Sequence, residues 1–99
     1  MSPSWSPPAG EIRILVVDDS VIVRKTLSLI LEREADMRVM GAAKGGAEAI
    51  EIVKHDRPDI VLLDVIMPGI NGLETLVELR KIDSTLPIIM FSSVTQEGA

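Results

Sequence analysis

Four residues of this 99-residue chain have the types and spacing to do chemistry together: Asp18, Asp19, Asp64 and Ser92. Each follows a short apolar run. Ile12 to Val17 runs into Asp18-Asp19, Ile60 to Leu63 into Asp64, and Pro87 to Phe91 into Ser92-Ser93. Such runs are the pattern of strands buried on both faces, as in a parallel sheet. Ligands of open α/β sheets bind outside the carboxyl ends of the strands. Three carboxylates converging there repel one another, so the site either holds a proton or binds a cation. Hard oxygen donors without Cys or His suit Mg²⁺. That ion commonly shares its shell with a phosphate, which points to phosphoryl transfer, and a carboxylate can itself accept the phosphoryl group. Ser92 would place a hydroxyl over the same crevice. Singly, Asp18 or Asp19 is equally well read as a helix cap or turn former, Asp64 less readily so, and Ser92 as an ordinary strand-end serine. Together they are expected to form one site.

The elements that must position these groups follow from periodicity. Ser20 or Asp19 can cap a first helix. Its apolar residues Val23, Leu27, Ile30 and Leu31 fall at helical spacing and predict one buried stripe, with Arg24, Lys25, Ser28 and Glu32 off it. A second strand spans Met37 to Ala43, with less apolar content, as suits an edge. A second helix runs from about Ala47 to His55, with Ala49, Ile50 and Val53 inward. Pro58 disfavours helix at Arg57 and ends it. After Asp64, Asn71-Gly72 is a turn signal, and Asn71 can cap a third helix from Gly72 to about Ile82. Leu73, Leu76, Val77 and Leu79 are its expected inner face. Met67 is expected to pack, His55 to sit solvated at a helix end, and Asn71 and Gly72 to serve backbone geometry. The order βαβαβαβ predicts an α/β fold, a parallel sheet with helices on both faces.

Composition narrows the function. The net charge is −5, with 15 acidic and 10 basic residues. This segment therefore has no basic surplus for gripping nucleic acid. Absence of Cys excludes disulfides and thiolate metal sites. No apolar run reaches the length of a membrane span. Residues 1–10 contain three Pro and three Ser, with Trp5 among them, and are expected to be a flexible lead-in without signal-peptide character. A cytoplasmic location is the corresponding expectation. Residues 11–99 are expected to be one domain.

These motifs in combination resemble the receiver domain of two-component response regulators. Val-Val-Asp18-Asp19-Ser, then Leu-Leu-Asp64 with Met67-Pro68 at plus three and plus four and Gly72 at plus eight, then Ile-Met-Phe-Ser92-Ser93 carry the resemblance. It covers the chain from about Ile12 to Ala99. It implies a doubly wound, flavodoxin-like sheet in strand order 2-1-3-4, as in the family's chemotaxis member. It implies that Asp64 is the phosphoacceptor, fed by a histidine kinase. Asp18, Asp19, Asp64 and the Ile66 backbone carbonyl would hold Mg²⁺, and Ser92 would contact the phosphoryl group as a switch. The stretch Met90 to Ala99 further resembles receivers joined to chemotaxis protein-glutamate methylesterases, in which the receiver restrains a C-terminal hydrolase. No hydrolase residues are present here.

Relative to that pattern, the final strand and helix, with a Lys at the end of strand five, are expected to be missing. The bared sheet edge would then favour self-association. Ile66, two past Asp64, and Val94, two past Ser92, are apolar where an attacking water could be oriented, so slow hydrolysis of an acyl phosphate is expected. Competing readings are a receiver attached to a DNA-binding or other output, a non-signalling interaction module, a dehalogenase-type phosphatase and a flavin-binding domain. The phosphatase wants Asp-x-Asp where the acids here are adjacent. The flavin domain wants a Ser-, Thr- and Gly-rich loop after strand one.

Overall fold

The computed structural model describes residues 11–67 and 69–92. The expectations for residues 1–10 and for Ser93 to Ala99, Val94 among them, lie outside the described residues, as does Pro68. Seven elements alternate: β1 (Ile12–Val17), α1 (Val21–Glu32), β2 (Met37–Ala43), α2 (Gly46–His55), β3 (Ile60–Asp64), α3 (Gly72–Ile82) and β4 (Ile88–Phe91). The strands form one parallel sheet in the order β2-β1-β3-β4. The doubly wound receiver fold expected from the sequence is thus observed, with β2 at an edge.

The sheet forms because β1 and β3 are aliphatic on both faces. Leu15, Val16, Val17, Val61 and Leu63 are wholly buried. Alternation divides them. Leu15, Val17, Val61 and Leu63 join Ala49 and Val53 of α2, Leu79 of α3, and Met67 and Leu86 in the main core. Full burial of each large aliphatic side chain is worth roughly 1.5–3 kcal/mol. Ile12, Ile14, Ile60, Leu62 and Ile89 line an apolar groove of about 330 Å³ with Leu31 of α1. Met67 packs in the core, as expected.

Two helices match their apolar pattern only in part: Val23, Leu27 and Leu31 of α1 are half-buried, Leu79 of α3 is in the core and Leu76 packs against it. On α1 no residue is fully buried, and Ile30, placed on the inner stripe by its spacing, is 52% exposed. The helix lies on β1 and β2. On α3 the inner face is Gly72, Thr75 and Leu79, whereas Leu73 and Val77 are exposed. The cause is steric. A Cβ on Gly46 at the start of α2 would collide with the Thr75 hydroxyl, and one on Gly72 would collide with the backbone of Asp64. These close approaches fix the roll of α3. The second helix also begins one residue earlier than expected, at Gly46.

At the amino ends of the strands, polar ties link the loops. Arg13 pairs with Asp56 at 2.6 Å and donates to the Arg57 carbonyl at 3.0 Å. Asp59 accepts from the Arg13 backbone N–H at 2.7 Å. Arg57 Nε donates to Asp83, which also accepts from the Thr85 amide and hydroxyl. The Asp83 carboxyl is held down at about 2, chiefly by the Arg57 hydrogen bond and then by the two from Thr85.

Candidate functional site

The opposite end of the sheet carries the acids. Register Val17↔Leu63 makes Asp18 and Asp64 the next residues along two neighbouring strands. Both are wholly buried, while Asp19 is exposed. One carboxylate oxygen from each of Asp18, Asp19 and Asp64 lies within 4.8 Å of the others. The convergence read from the sequence is therefore real. Ser92 stands one residue beyond the pair Asp64↔Phe91, so register puts it at the same end of the sheet. His55 lies away on α2, exposed, its Nδ1 against the Glu51 carbonyl.

Local structure holds each acid in place. The Asp18 N–H donates to the Ala43 carbonyl at 3.0 Å, tying the turn after β1 to the end of β2. The Ser20 N–H donates to Asp18 Oδ1 at 2.8 Å, and Ser20 Oγ in turn caps α1 by accepting from the Val23 N–H. This settles the cap as Ser20. Arg24, which the apolar pattern places off the buried stripe, reaches back and donates from Nη1 to the Asp18 carbonyl at 2.8 Å. Nothing in the apolar pattern marks it. The available signal is a long cationic side chain six residues past an acid, one helical turn inside the cap.

Asp64 is framed by the following loop. The Ile66 N–H donates to Asp64 Oδ1 at 3.2 Å. The Val65 N–H donates to the Phe91 carbonyl, and the Gly72 N–H returns to the Val65 carbonyl at 3.0 Å. Asn71 caps α3 in a reciprocal box. Its side chain accepts from the Glu74 N–H, and the Glu74 carboxylate accepts from the Asn71 N–H. Gly69 has φ +76°, the left-handed region that glycine adopts freely. Gly72 has no such φ. It is required for space, because a Cβ there would stand 2.6 Å from Val65 Cα. The Ile66 side chain projects outward at the rim, 56% exposed.

The donor set fits a small hard cation. An octahedral ion with bonds of about 2.1 Å separates its ligand oxygens by about 3 Å when adjacent and about 4.2 Å when opposite. Three carboxylate oxygens within 4.8 Å of one another lie close to that spacing. No Cys or second His competes for a softer metal.

Comparison with known proteins agrees. The family model for the response regulator receiver domain matches residues 14–99. Protein-glutamate methylesterase/protein-glutamine glutaminase from Pyrococcus abyssi is 49% identical over 89 residues, and that from Trichodesmium erythraeum 47%. These matches cover 90% of the chain but only 24% and 25% of those relatives. The chain thus spans about a quarter of the length of the curated relatives it matches. Among solved structures, the response regulator domain of Thermotoga maritima CheB aligns with TM-score 0.77 and 43% identity, over 90% of this chain and 66% of that one. A CheX-CheY-BeF3-Mg complex from Borrelia burgdorferi aligns with TM-score 0.77 and 30% identity, over 87% of this chain and 66% of that one. With its sheet order, its acid cluster and this match over most of its length, the chain belongs to the response regulator receiver domain family.

Proposed function

We propose that this domain accepts a phosphoryl group on Asp64 from the phosphohistidine of a histidine kinase and so controls an output domain. The convergence of three carboxylates at the ends of β1 and β3 carries the reading. Asp18, Asp19 and Asp64, with the Ile66 carbonyl, would hold Mg²⁺. The bound ion supplies charge neutralisation for the transferring phosphoryl oxygens. A carboxylate oxygen of Asp64 bonds to phosphorus as the P–N bond breaks, and the imidazole nitrogen keeps the electron pair. Burial of Asp64 would keep bulk water from the acyl phosphate, and Ser92, at the neighbouring strand end, would contact it. Exposed Val21 and Ile22, at the start of α1 beside the acids, give a partner apolar surface at the mouth of the crevice.

The output we propose is a C-terminal protein-glutamate methylesterase in a cytoplasmic chemotaxis pathway. The support is the identity of nearly half with relatives of that name over about a quarter of their length. Among the described residues no helix is long and apolar enough to cross a membrane. The test is beryllofluoride binding, followed by fluorine NMR. A bound signal that requires Mg²⁺ and disappears in Asp64→Asn is expected. A signal that survives in Asp64→Asn refutes the assignment of the acceptor.

A further inference from the structure

Arg24 sits on the first turn of α1, half-buried. Its Nη1 donates at 2.8 Å to the Asp18 carbonyl, which belongs to the peptide joining Asp18 to Asp19. A peptide is planar, so holding its carbonyl also fixes the direction of the Asp19 N–H and the start of that residue. Asp19 is exposed. Other ties in this turn act on its flanks: the Asp18 N–H on Ala43, and the Ser20 N–H on Asp18 Oδ1. Arg24 is a side chain that acts directly on the linkage between the two acids.

We infer that Arg24 is a positioning residue for the cation site. Its guanidinium clamps the Asp18–Asp19 peptide, aims both carboxylates into the crevice and thereby raises affinity for a divalent cation. The inference rests on the reading that the crevice binds Mg²⁺. Arg24 is also a positive charge beside that site, and the two effects have opposite signs. By charge alone, removing a cation next to a cation-binding site tightens Mg²⁺ binding. By positioning, removal weakens it. Partners that orient metal ligands typically contribute roughly 10–100-fold in affinity. Here the contact acts through the backbone rather than on a ligating atom, so the expected loss is at the lower end, about tenfold.

The experiment is calorimetric titration of Mg²⁺ alone into the 99-residue chain, at a temperature where circular dichroism shows each protein folded. Arg24→Gln is expected to bind about tenfold more weakly. Arg24→Lys, which keeps the charge and one donor, is expected to fall between Gln and the parent. Arg24→Gln binding as tightly as the parent, or more tightly, overturns the inference. So does Arg24→Lys binding more weakly than Arg24→Gln, because that order follows charge. If Arg24→Gln does not fold, Arg24→Lys carries the test, and parental affinity in it overturns the inference. A parent chain that takes up no Mg²⁺ overturns the metal reading itself, an outcome distinct from equal binding by parent and variant.

Discussion

Replacing Gly72 by Ala probes the contact that frames Asp64. A Cβ at this position would meet the Asp64 carbonyl oxygen, with Val65 Cα at 2.6 Å and Asp64 C at 3.0 Å. Carbon atoms prefer about 3.5–4.0 Å. The shortfall is about 0.5–1.4 Å, and it falls on backbone atoms that have no rotamer to escape into. Overpacking of this kind costs about 1–3 kcal/mol, and the rigid neighbour places Gly72→Ala near the upper end. The better helix propensity and lower unfolded-state entropy of Ala return about 0.5–1 kcal/mol. A net loss of about 1.5–2.5 kcal/mol remains. At about 4–8 °C per kcal/mol for a domain of this size, the melting temperature falls by roughly 6–20 °C. Relief by movement of α3 also shifts Asp64, so Mg²⁺ affinity falls along with stability. Gly45→Ala is the control. Nothing lies within 4 Å of its added methyl and its φ is −171°, so only the loss of glycine at the N-cap of α2 should register, at less than about 1 kcal/mol. Thermal unfolding by circular dichroism, with and without Mg²⁺, measures both. A Gly72→Ala protein that melts with Gly45→Ala and keeps parental Mg²⁺ affinity refutes the steric account.

Removing the α3 cap by Asn71→Ala should cost about 1 kcal/mol, read as a lower urea midpoint. Ile66→Asn, placing an amide at the rim where an exposed apolar side chain now stands, should speed loss of the phosphoryl group from Asp64 severalfold. An unchanged rate in radiolabel decay sinks that idea. The Asp83 carboxyl is lowered from 3.8 to about 2, first by the Arg57 hydrogen bond. A depressed carboxylate contributes stability above its unfolded value that is lost as pH falls through the folded one. The urea midpoints of parent and Arg57→Gln should therefore differ at about pH 6 and converge between about pH 4 and 2. A gap that persists at the acid end of that range refutes the link.

The strands and the site are legible because they are written in local runs. A mostly aliphatic run ending in two acids leaves little choice of element or end, and register then brings Asp18 and Asp64 side by side without further information. Helix roll is not legible. Leu73 and Val77 have the spacing of a core face, but the collisions that Gly46 and Gly72 avoid are long-range and turn Thr75 inward instead. Gly72 reads in the sequence as a residue of backbone geometry, yet the structure uses it for missing volume. Arg24 is hidden for a related reason. A helical Arg off the apolar stripe ordinarily faces solvent, and only the bend at Asp18–Asp19 offers it a carbonyl.

The register of β1 on β3 makes the acid cluster a reporter of folding. Asp18 and Asp64 meet only if Val17 lies against Leu63, a contact between segments 46 residues apart. A slip of one residue would turn Asp64 to the other face of the sheet. Chains paired out of register have no three-carboxylate cluster to offer. On the proposed reading, Mg²⁺ binds the correctly paired sheet and leaves its slipped competitors unbound, so it shifts the population toward the native pairing by mass action. An ion employed for phosphoryl chemistry would thus also proofread strand pairing, with the largest effect when the sheet is newly formed and least stable.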